Sequence, residues 1–109
     1  MMFSRPKRQK QALIDQRILA IHRAIAGKVL CEPHYIERAR AVLSERYKNG
    51  MMRYGSFLLW ESILNHASEP DVFVALLLAE DPRTASLRRA TIFTGVLTEA
   101  EREAVLSMC

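Results

Sequence analysis

The chain has 109 residues, of which 50% are hydrophobic and 26% charged, and it carries a formal net charge of +4. This composition is ordinary for one globular domain and excludes a disordered chain. Its two cysteines, Cys31 and Cys109, do not form a disulfide framework, and no apolar run approaches the roughly 18 residues of a membrane span.

Charge is divided unevenly along the chain. Residues 1–54 carry a net charge of +8, whereas residues 55–109 carry −4. This division predicts two faces with different partners or two halves that attract each other, unless it only reflects solvated helix faces. Asp15, Gln16 and Arg17 stand where the apolar core of a signal peptide would follow a basic start, so we expect a cytoplasmic protein.

Positive charge is concentrated at the start, where we expect residues 1–8 to be a flexible basic arm. Such an arm could lie along nucleic-acid phosphates, or it could be a solubilising terminus. The candidate nucleic-acid contacts in this region are Arg5, Lys7, Arg8, Lys10 and Arg17.

Two amphipathic helices follow. The first is predicted over about 9–31, because apolar residues recur every three or four positions, at Ile14, Ile18, Ile21, Ile25 and Val29. The second, over about 33–48, has an apolar stripe of Ile36, Ala39, Leu43 and Tyr47. Asn49 and Gly50 end it, since glycine tolerates the left-handed backbone of a helix stop.

An apolar connector over 51–55 leads to a third helix, predicted over about 56–66 with Ser56 as its N-cap. Trp60 is expected to anchor the core, on one face with Leu59, Ile63 and Leu64. Met51 and Met52 either fill gaps in the core or, if exposed, mark a groove for a partner.

Every position from Val72 to Ala79 is apolar. Ser68 and Asp71 fit a capping box, and Pro70 suits a first helical turn, so we predict a helix over about 70–80. A buried strand is the alternative, because eight apolar residues fit either element. A helix that is apolar on all sides belongs in the interior, so we expect this one at the centre of the fold.

Two further helices close the chain. Asp81 and Pro82 begin one over about 82–90, with Arg83, Arg88 and Arg89 on its outer side. Residues 91–97 form an irregular crossing segment whose large apolar residues, Ile92, Phe93, Val96 and Leu97, pin it to the core. A capping box of Thr98 and Glu101 begins the last helix, over about 99–107, with Val105 and Leu106 inward. We therefore predict an all-α fold: one compact domain over 1–109, with five or six helices around the central apolar helix.

The residues offer no catalytic set. Cys31 and His34 have a C-x-x-H spacing, but a structural zinc site needs four ligands. A thiol–imidazole pair of Cys31 with His22 or His34 lacks a third, orienting group. The chain also has no glycine-rich phosphate loop. We expect no enzymatic activity, no cofactor and no metal.

Binding of a protein partner is the remaining class of function. Methionine, aromatic residues and arginine are enriched at interfaces, although core packing explains the same residue types. The candidate partner-binding residues are Arg23, Met51, Met52, Arg53, Tyr54, Arg88 and Arg89. The alternative is a small DNA- or RNA-binding regulator that uses the basic first half. The spacing of the fourth and fifth helices also fits a helix-turn-helix, although their half is net negative. The sequence is also compatible with a homodimer, and we expect no membrane partner.

Two stretches carry a resemblance. Residues 87–102 read LRRATIFTGVLTEAER, and residues 21–26 read IHRAIA. The chain thereby resembles small uncharacterised bacterial helical proteins with an L-R-x-x-(S/T)-x-F-x-G-V-L-(S/T)-x-x-E-R tail and a similar first helix. Some of these are encoded near toxin–antitoxin or mobile-element genes. The resemblance implies a bacterial or phage protein with an antitoxin-like or defence-related role as a partner or regulator.

Overall fold

The computed structural model describes the backbone of residues 7–108 and the side chains from Lys10 onward. Over these residues it is a bundle of helices without a strand, which confirms the all-α prediction. The helices are α1 (Lys7–Cys31), α2 (His34–Lys48), α3 (Tyr54–Asn65), α4 (Pro70–Leu77), α5 (Pro82–Arg89) and α6 (Glu99–Ser107). Of the predicted basic arm, Lys7 and Arg8 belong to α1, and residues 1–6 lie outside the described part of the chain.

The longest helix, α1, organises the bundle. It packs against α2, α4, α5 and α6, while α3 packs against α2 and α4. Its predicted stripe is buried at Ile21, Ile25 and Val29. Ile14, however, is 48% exposed. The predicted stripe is thus wrong at its first position, because no described element covers that side of the helix.

The apolar octet is helical as far as Leu77, which excludes the strand alternative. Phe73 and Leu77 are fully buried, but Val72 and Ala75 are exposed. The expectation that this helix is shielded on every side is therefore not met. Since α4 packs on α1 and α3, its remaining face meets solvent despite its apolar residues.

Phe93, in the segment that crosses between α5 and α6, lies at the middle of the core. Its ring centroid is 5.9 Å from that of Trp60, 6.4 Å from Phe73 and 6.5 Å from His22, each in an edge-on arrangement. These partners come from α3, α4 and α1, so one side chain joins three helices. The prediction that this segment is pinned to the core is confirmed, as is the burial of Trp60.

Local capping chemistry sets several helix ends. The carboxylate of Asp81 accepts a hydrogen bond from the Thr84 N–H at 3.0 Å, and the Thr98–Glu101 capping box is formed, both as predicted. The capping box expected at Ser68 is wrong: Glu69 is the N-cap of α4, and no side chain caps it. Tight backbone turns over 63–69 carry the chain past Ser68 before the helix begins. Ser56 is not a cap either, because α3 begins at Tyr54.

Candidate protein-binding surface

The structure separates the seven residues that sequence analysis assigned to partner binding. Met51, Met52, Arg53 and Tyr54 lie together where α2 leads into α3. Arg23 and Arg89 lie on α1 and α5, and Arg88 is buried. The seven residues therefore do not form one continuous surface.

Arg88 was expected on the outer side of α5, and that prediction is wrong. Its side chain is only 3% exposed. Nη1 donates to the carbonyl oxygens of Leu77 at 2.8 Å and Ala79 at 2.7 Å, at the end of α4. The last carbonyls of a helix have no partner within the helix, and Arg88 supplies donors for them. Burial lowers the pKa of the guanidinium. Arg88 is thus a structural residue and is not available to a partner.

Arg89 is exposed but already paired. Its Nε and Nη2 donate to the two carboxylate oxygens of Asp15, at 2.8 and 2.7 Å. The hydrogen bond from Arg89 lowers the pKa of Asp15. This fork-to-fork pair joins α5 to α1, so a partner would have to break it to use the guanidinium. Arg23 lines a separate groove of about 530 Å³ between α1 and α6, opposite Glu80.

The corner between α2 and α3 carries an exposed aromatic and methionine cluster, which we call the corner surface. Its apolar members are Tyr47, Met51, Tyr54 and Phe57, and its basic members are Lys48 and Arg53. Met51 is 72% exposed and Tyr54 60%. The ring centroid of Tyr47 is 4.4 Å from that of Phe57 and 6.0 Å from that of Tyr54. The half-buried ring of Phe57 stacks with the rings of Tyr47 and Tyr54, which are tilted by 41° to each other and are exposed.

The chain builds this surface through a sharp reversal. Gly50 adopts a φ of +72°, and the N–H of Met51 donates to the carbonyl of Arg46 at 2.9 Å. This turn places the last turn of α2 beside the first turn of α3. Tyr54 and Phe57 are three residues apart in α3, so their side chains lie on the same face of the helix, and both rings contact Tyr47. Tyr47 was predicted to point into the core, but its side chain is 38% exposed, because it packs against the rings of Tyr54 and Phe57 at the surface.

A second feature, which we call the α3–α5 groove, continues from the corner surface. Two adjoining cavities of about 180 and 450 Å³ share the residues Arg53, Ser56, Ser86 and Leu87. Arg46 lines the first cavity and Arg83 the second, and among the residues that the structure describes no acidic one lines either cavity. Leu87 and Trp60 form part of an apolar floor. Ser86 is not among the residues expected from the sequence, because nothing local in the chain indicates that it lines the same cavities as Ser56, thirty positions earlier.

The arginines of this groove differ in their freedom. Nη1 of Arg46 donates to the carbonyl oxygens of Ala90 and Thr91, at 3.1 and 2.8 Å, and so holds the end of α5. Arg53 and Arg83 are exposed, and neither forms an ion pair within the described part of the chain. Arg53 and Arg83 are therefore free to bind an anionic group.

The other candidates from the sequence are placed as follows. Lys10 and Arg17 are exposed on α1, whereas Arg5 and the side chains of Lys7 and Arg8 lie outside what the structure describes. The thiol–imidazole pairing of Cys31 with His22 is not formed, because both nitrogens of His22 bond elsewhere. Among residues 7–108 no group of three or more metal-ligating side chains occurs. The helix-turn-helix alternative fails for Arg88, which faces the core.

None of the helices within residues 7–108 combines the length and hydropathy that crossing a membrane requires. Comparison of the chain with protein-family models, curated proteins and solved structures finds no match.

Proposed function

We propose that this chain is a non-catalytic protein-binding module and that the corner surface is its interface. Exposed, contiguous clusters of methionine and aromatic side chains are uncommon on monomeric proteins and mark interaction sites. The observation that carries the proposal is the exposure of Met51 and Tyr54 at 72% and 60%, next to the ring of Phe57, which stacks with both tyrosines. Core packing, which was the alternative explanation for these residue types, does not apply to Met51 or Tyr54.

The rim of the corner surface suits a protein partner with acidic groups. Lys48 and Arg53 are exposed, and neither has an ion-pair partner among the described residues. Charged groups at the edge of an interface steer association and select partners of opposite charge. Tyr54 and Tyr47 supply rigid rings whose contact area costs little conformational entropy.

The biological setting of the proposal rests on the sequence resemblance alone. It gives a bacterial or phage protein with an antitoxin-like or defence-related role, in which binding a protein partner is the activity. Within the resembling tail, Ile92, Phe93 and Val96 are buried. These residues support the fold, so the resemblance concerns the scaffold, and the corner surface is where this chain would contact its partner.

Site-specific photocrosslinking tests the proposal. A photoreactive amino acid replaces Met51 in one variant and Ala104, an exposed residue of α6, in a matched control variant. We expect one stoichiometric protein adduct in cells of the source organism for position 51 only, and its loss when Tyr54→Glu is added. Equal adducts at both positions, or none at position 51, would contradict the proposal.

Nucleic-acid binding is the second candidate, favoured by one observation. Lys10 and Arg17 are exposed, lie two turns apart on the same side of α1, and have no ion-pair partner among the described residues. Binding through phosphates would weaken steeply as salt rises from about 50 to about 200 mM. A Lys10→Glu, Arg17→Glu variant should then lose affinity for a labelled DNA or RNA duplex. Unchanged affinity in that variant would exclude this face.

A further inference from the structure

The α3–α5 groove has a chemistry of its own, distinct from the corner surface that it joins. Its walls carry the guanidinium groups of Arg46, Arg53 and Arg83, and the hydroxyls of Ser56 and Ser86. Every ionisable side chain that lines the two cavities, among residues 10–108, is thus basic. The carboxylate of Asp81, which precedes the lining residue Pro82, is engaged with the backbone N–H and hydroxyl of Thr84, at 3.0 and 2.7 Å.

From these features we infer that the α3–α5 groove binds an acidic segment of the protein partner, in which carboxylates alternate with apolar side chains. This inference rests on the proposed function, whose partner it describes. Arginine binds carboxylates through two parallel hydrogen bonds, which gives it geometric selectivity as well as charge. The free guanidinium groups of Arg53 and Arg83 both line the second cavity, where they receive neighbouring carboxylates, and Arg53 also lines the first cavity.

The floor of the groove explains why the ligand needs apolar side chains as well. Trp60 and Leu87 are buried residues that border the first cavity, and Leu59 borders the second. An extended peptide sends alternate side chains to opposite sides, so one set meets the floor while the other points to the rim, where Arg53 and Arg83 are exposed. A free phosphate would use the basic walls but gain nothing from the floor.

The groove and the corner surface form one continuous binding region. Arg53 belongs to both, and Met51 and Met52 line the end of the groove next to Arg46. A partner whose apolar anchor packs on Tyr54 can therefore continue into the groove without leaving the surface. Such continuity lets central apolar contacts supply affinity while the charges select the partner.

The test uses a defined probe and the full chain. The probe is a fluorescein-labelled peptide of eight residues that alternates glutamate and leucine, and its matched control alternates glutamine and leucine. We expect the glutamate peptide to bind and to shift the ¹⁵N–¹H signals of the groove residues Arg53, Ser56, Arg83 and Ser86. Its affinity should fall as the salt concentration rises. An Arg53→Glu, Arg83→Glu variant should bind it roughly tenfold more weakly or worse, since both carboxylate contacts are lost.

A matched variant, Arg38→Glu with Arg102→Glu, changes the net charge equally at exposed positions of α2 and α6 and should leave peptide binding unchanged. Circular dichroism checks that both variants are folded. The inference is overturned if the glutamine peptide binds equally well, if both variants weaken binding alike, or if inorganic phosphate produces the same signal shifts. It is also overturned if a DNA duplex displaces the peptide from the groove.

The outcomes separate this inference from the proposed function. If crosslinking at position 51 captures a partner and the Arg53→Glu, Arg83→Glu variant captures it equally, the groove is not used and the protein-binding function stands. If the peptide binds the groove but no adduct forms at position 51, the corner surface is not the interface.

Discussion

The imidazole Nε2 of His22 in α1 lies 2.8 Å from the hydroxyl oxygen of Thr91, in the segment that crosses the core. Nδ1 of the same ring lies 2.8 Å from the carbonyl of Ile18, which can only accept, so Nδ1 carries the hydrogen. Nε2 then accepts from the Thr91 hydroxyl, whose oxygen accepts from the N–H of Phe93 at 3.1 Å. Every group in this chain of bonds is satisfied only when the imidazole is neutral.

The protonation of His22 should therefore set how the fold responds to mild acid. Burial lowers the pKa of His22 from 6.5 to about 4, with a smaller contribution from the nearby positive charge of Arg88. Between these values the unfolded chain binds a proton that the folded chain does not. The free energy of unfolding should fall by about 3 kcal/mol as the pH drops through this window, and the effect is absent above it.

Urea unfolding at a series of pH values between 7 and 4 measures this loss. His22→Gln should start less stable and show a flatter dependence on pH. Thr91→Val should keep the steep dependence, because burial rather than the hydroxyl dominates the pKa. Parallel curves for the native chain and His22→Gln would show that His22 does not cause the loss.

Two neighbouring arginines should differ greatly in what they contribute to stability. Arg88→Met keeps the apolar stem but removes the donors to Leu77 and Ala79, leaving two carbonyls at the end of α4 without partners. We expect a loss of about 2–4 kcal/mol in the free energy of unfolding. Arg89→Met removes an exposed pair with Asp15 and should cost much less, because water screens such pairs. Urea unfolding, monitored by the fluorescence of Trp60, measures both losses. Equal losses for the two variants would contradict the structural role of Arg88.

Glu101 should hold α6 on the bundle. Its Oε1 accepts from the N–H of Thr98 at 2.8 Å and from Nζ of Lys28 at 2.7 Å. The hydrogen bond from Lys28 is the main reason that the pKa of Glu101 is lowered to about 2. The contribution of Glu101 to stability is present above a pH of about 4.5 and is lost as the pH falls from there to about 2. Most of this window lies below that of His22.

No residue of α6 is fully buried, so this helix depends strongly on its first turn. Glu101→Ala should increase the rate of amide hydrogen exchange across 99–107 while α1 to α5 keep their protection. Glu103→Ala, at an exposed position of the same helix, is the control and should leave exchange unchanged. Faster exchange throughout the molecule would instead mean that α6 does not open separately.

Two glycines should respond to alanine in opposite directions. Gly27 lies within α1, and a Cβ there would meet nothing within 4 Å, so Gly27→Ala should stabilise the fold by about 0.5–1 kcal/mol. Gly95 has a φ of +72°, and its Cβ would lie 3.2 Å from Nη2 of Arg38. Gly95→Ala should cost about 1 kcal/mol or more, since alanine is strained in the left-handed region. Thermal unfolding followed by circular dichroism shows whether each variant is more or less stable than the native chain. A stabilising Gly95→Ala would contradict the left-handed backbone conformation of Gly95.

Helix identity and several helix ends could be predicted from the sequence alone. Asp81 and the Thr98–Glu101 box are capping signals that act within three residues, so their chemistry is complete in the local chain. Gly50 likewise ends α2 by a property of its own backbone. The sequence also singled out Met51 and Tyr54 as residues of interface type, although it left their burial open.

Only the tertiary structure decided which side of each helix is covered. The sequence pattern placed Arg88 outside and the octet inside on all sides. In the fold Arg88 satisfies carbonyls of a different helix, and Val72 meets solvent. Burial depends on neighbours that are distant in sequence, as when α5 brings Ser86 across from Ser56 to complete the α3–α5 groove. Periodicity reports the preference of a face, whereas exposure depends on whether another element packs against it.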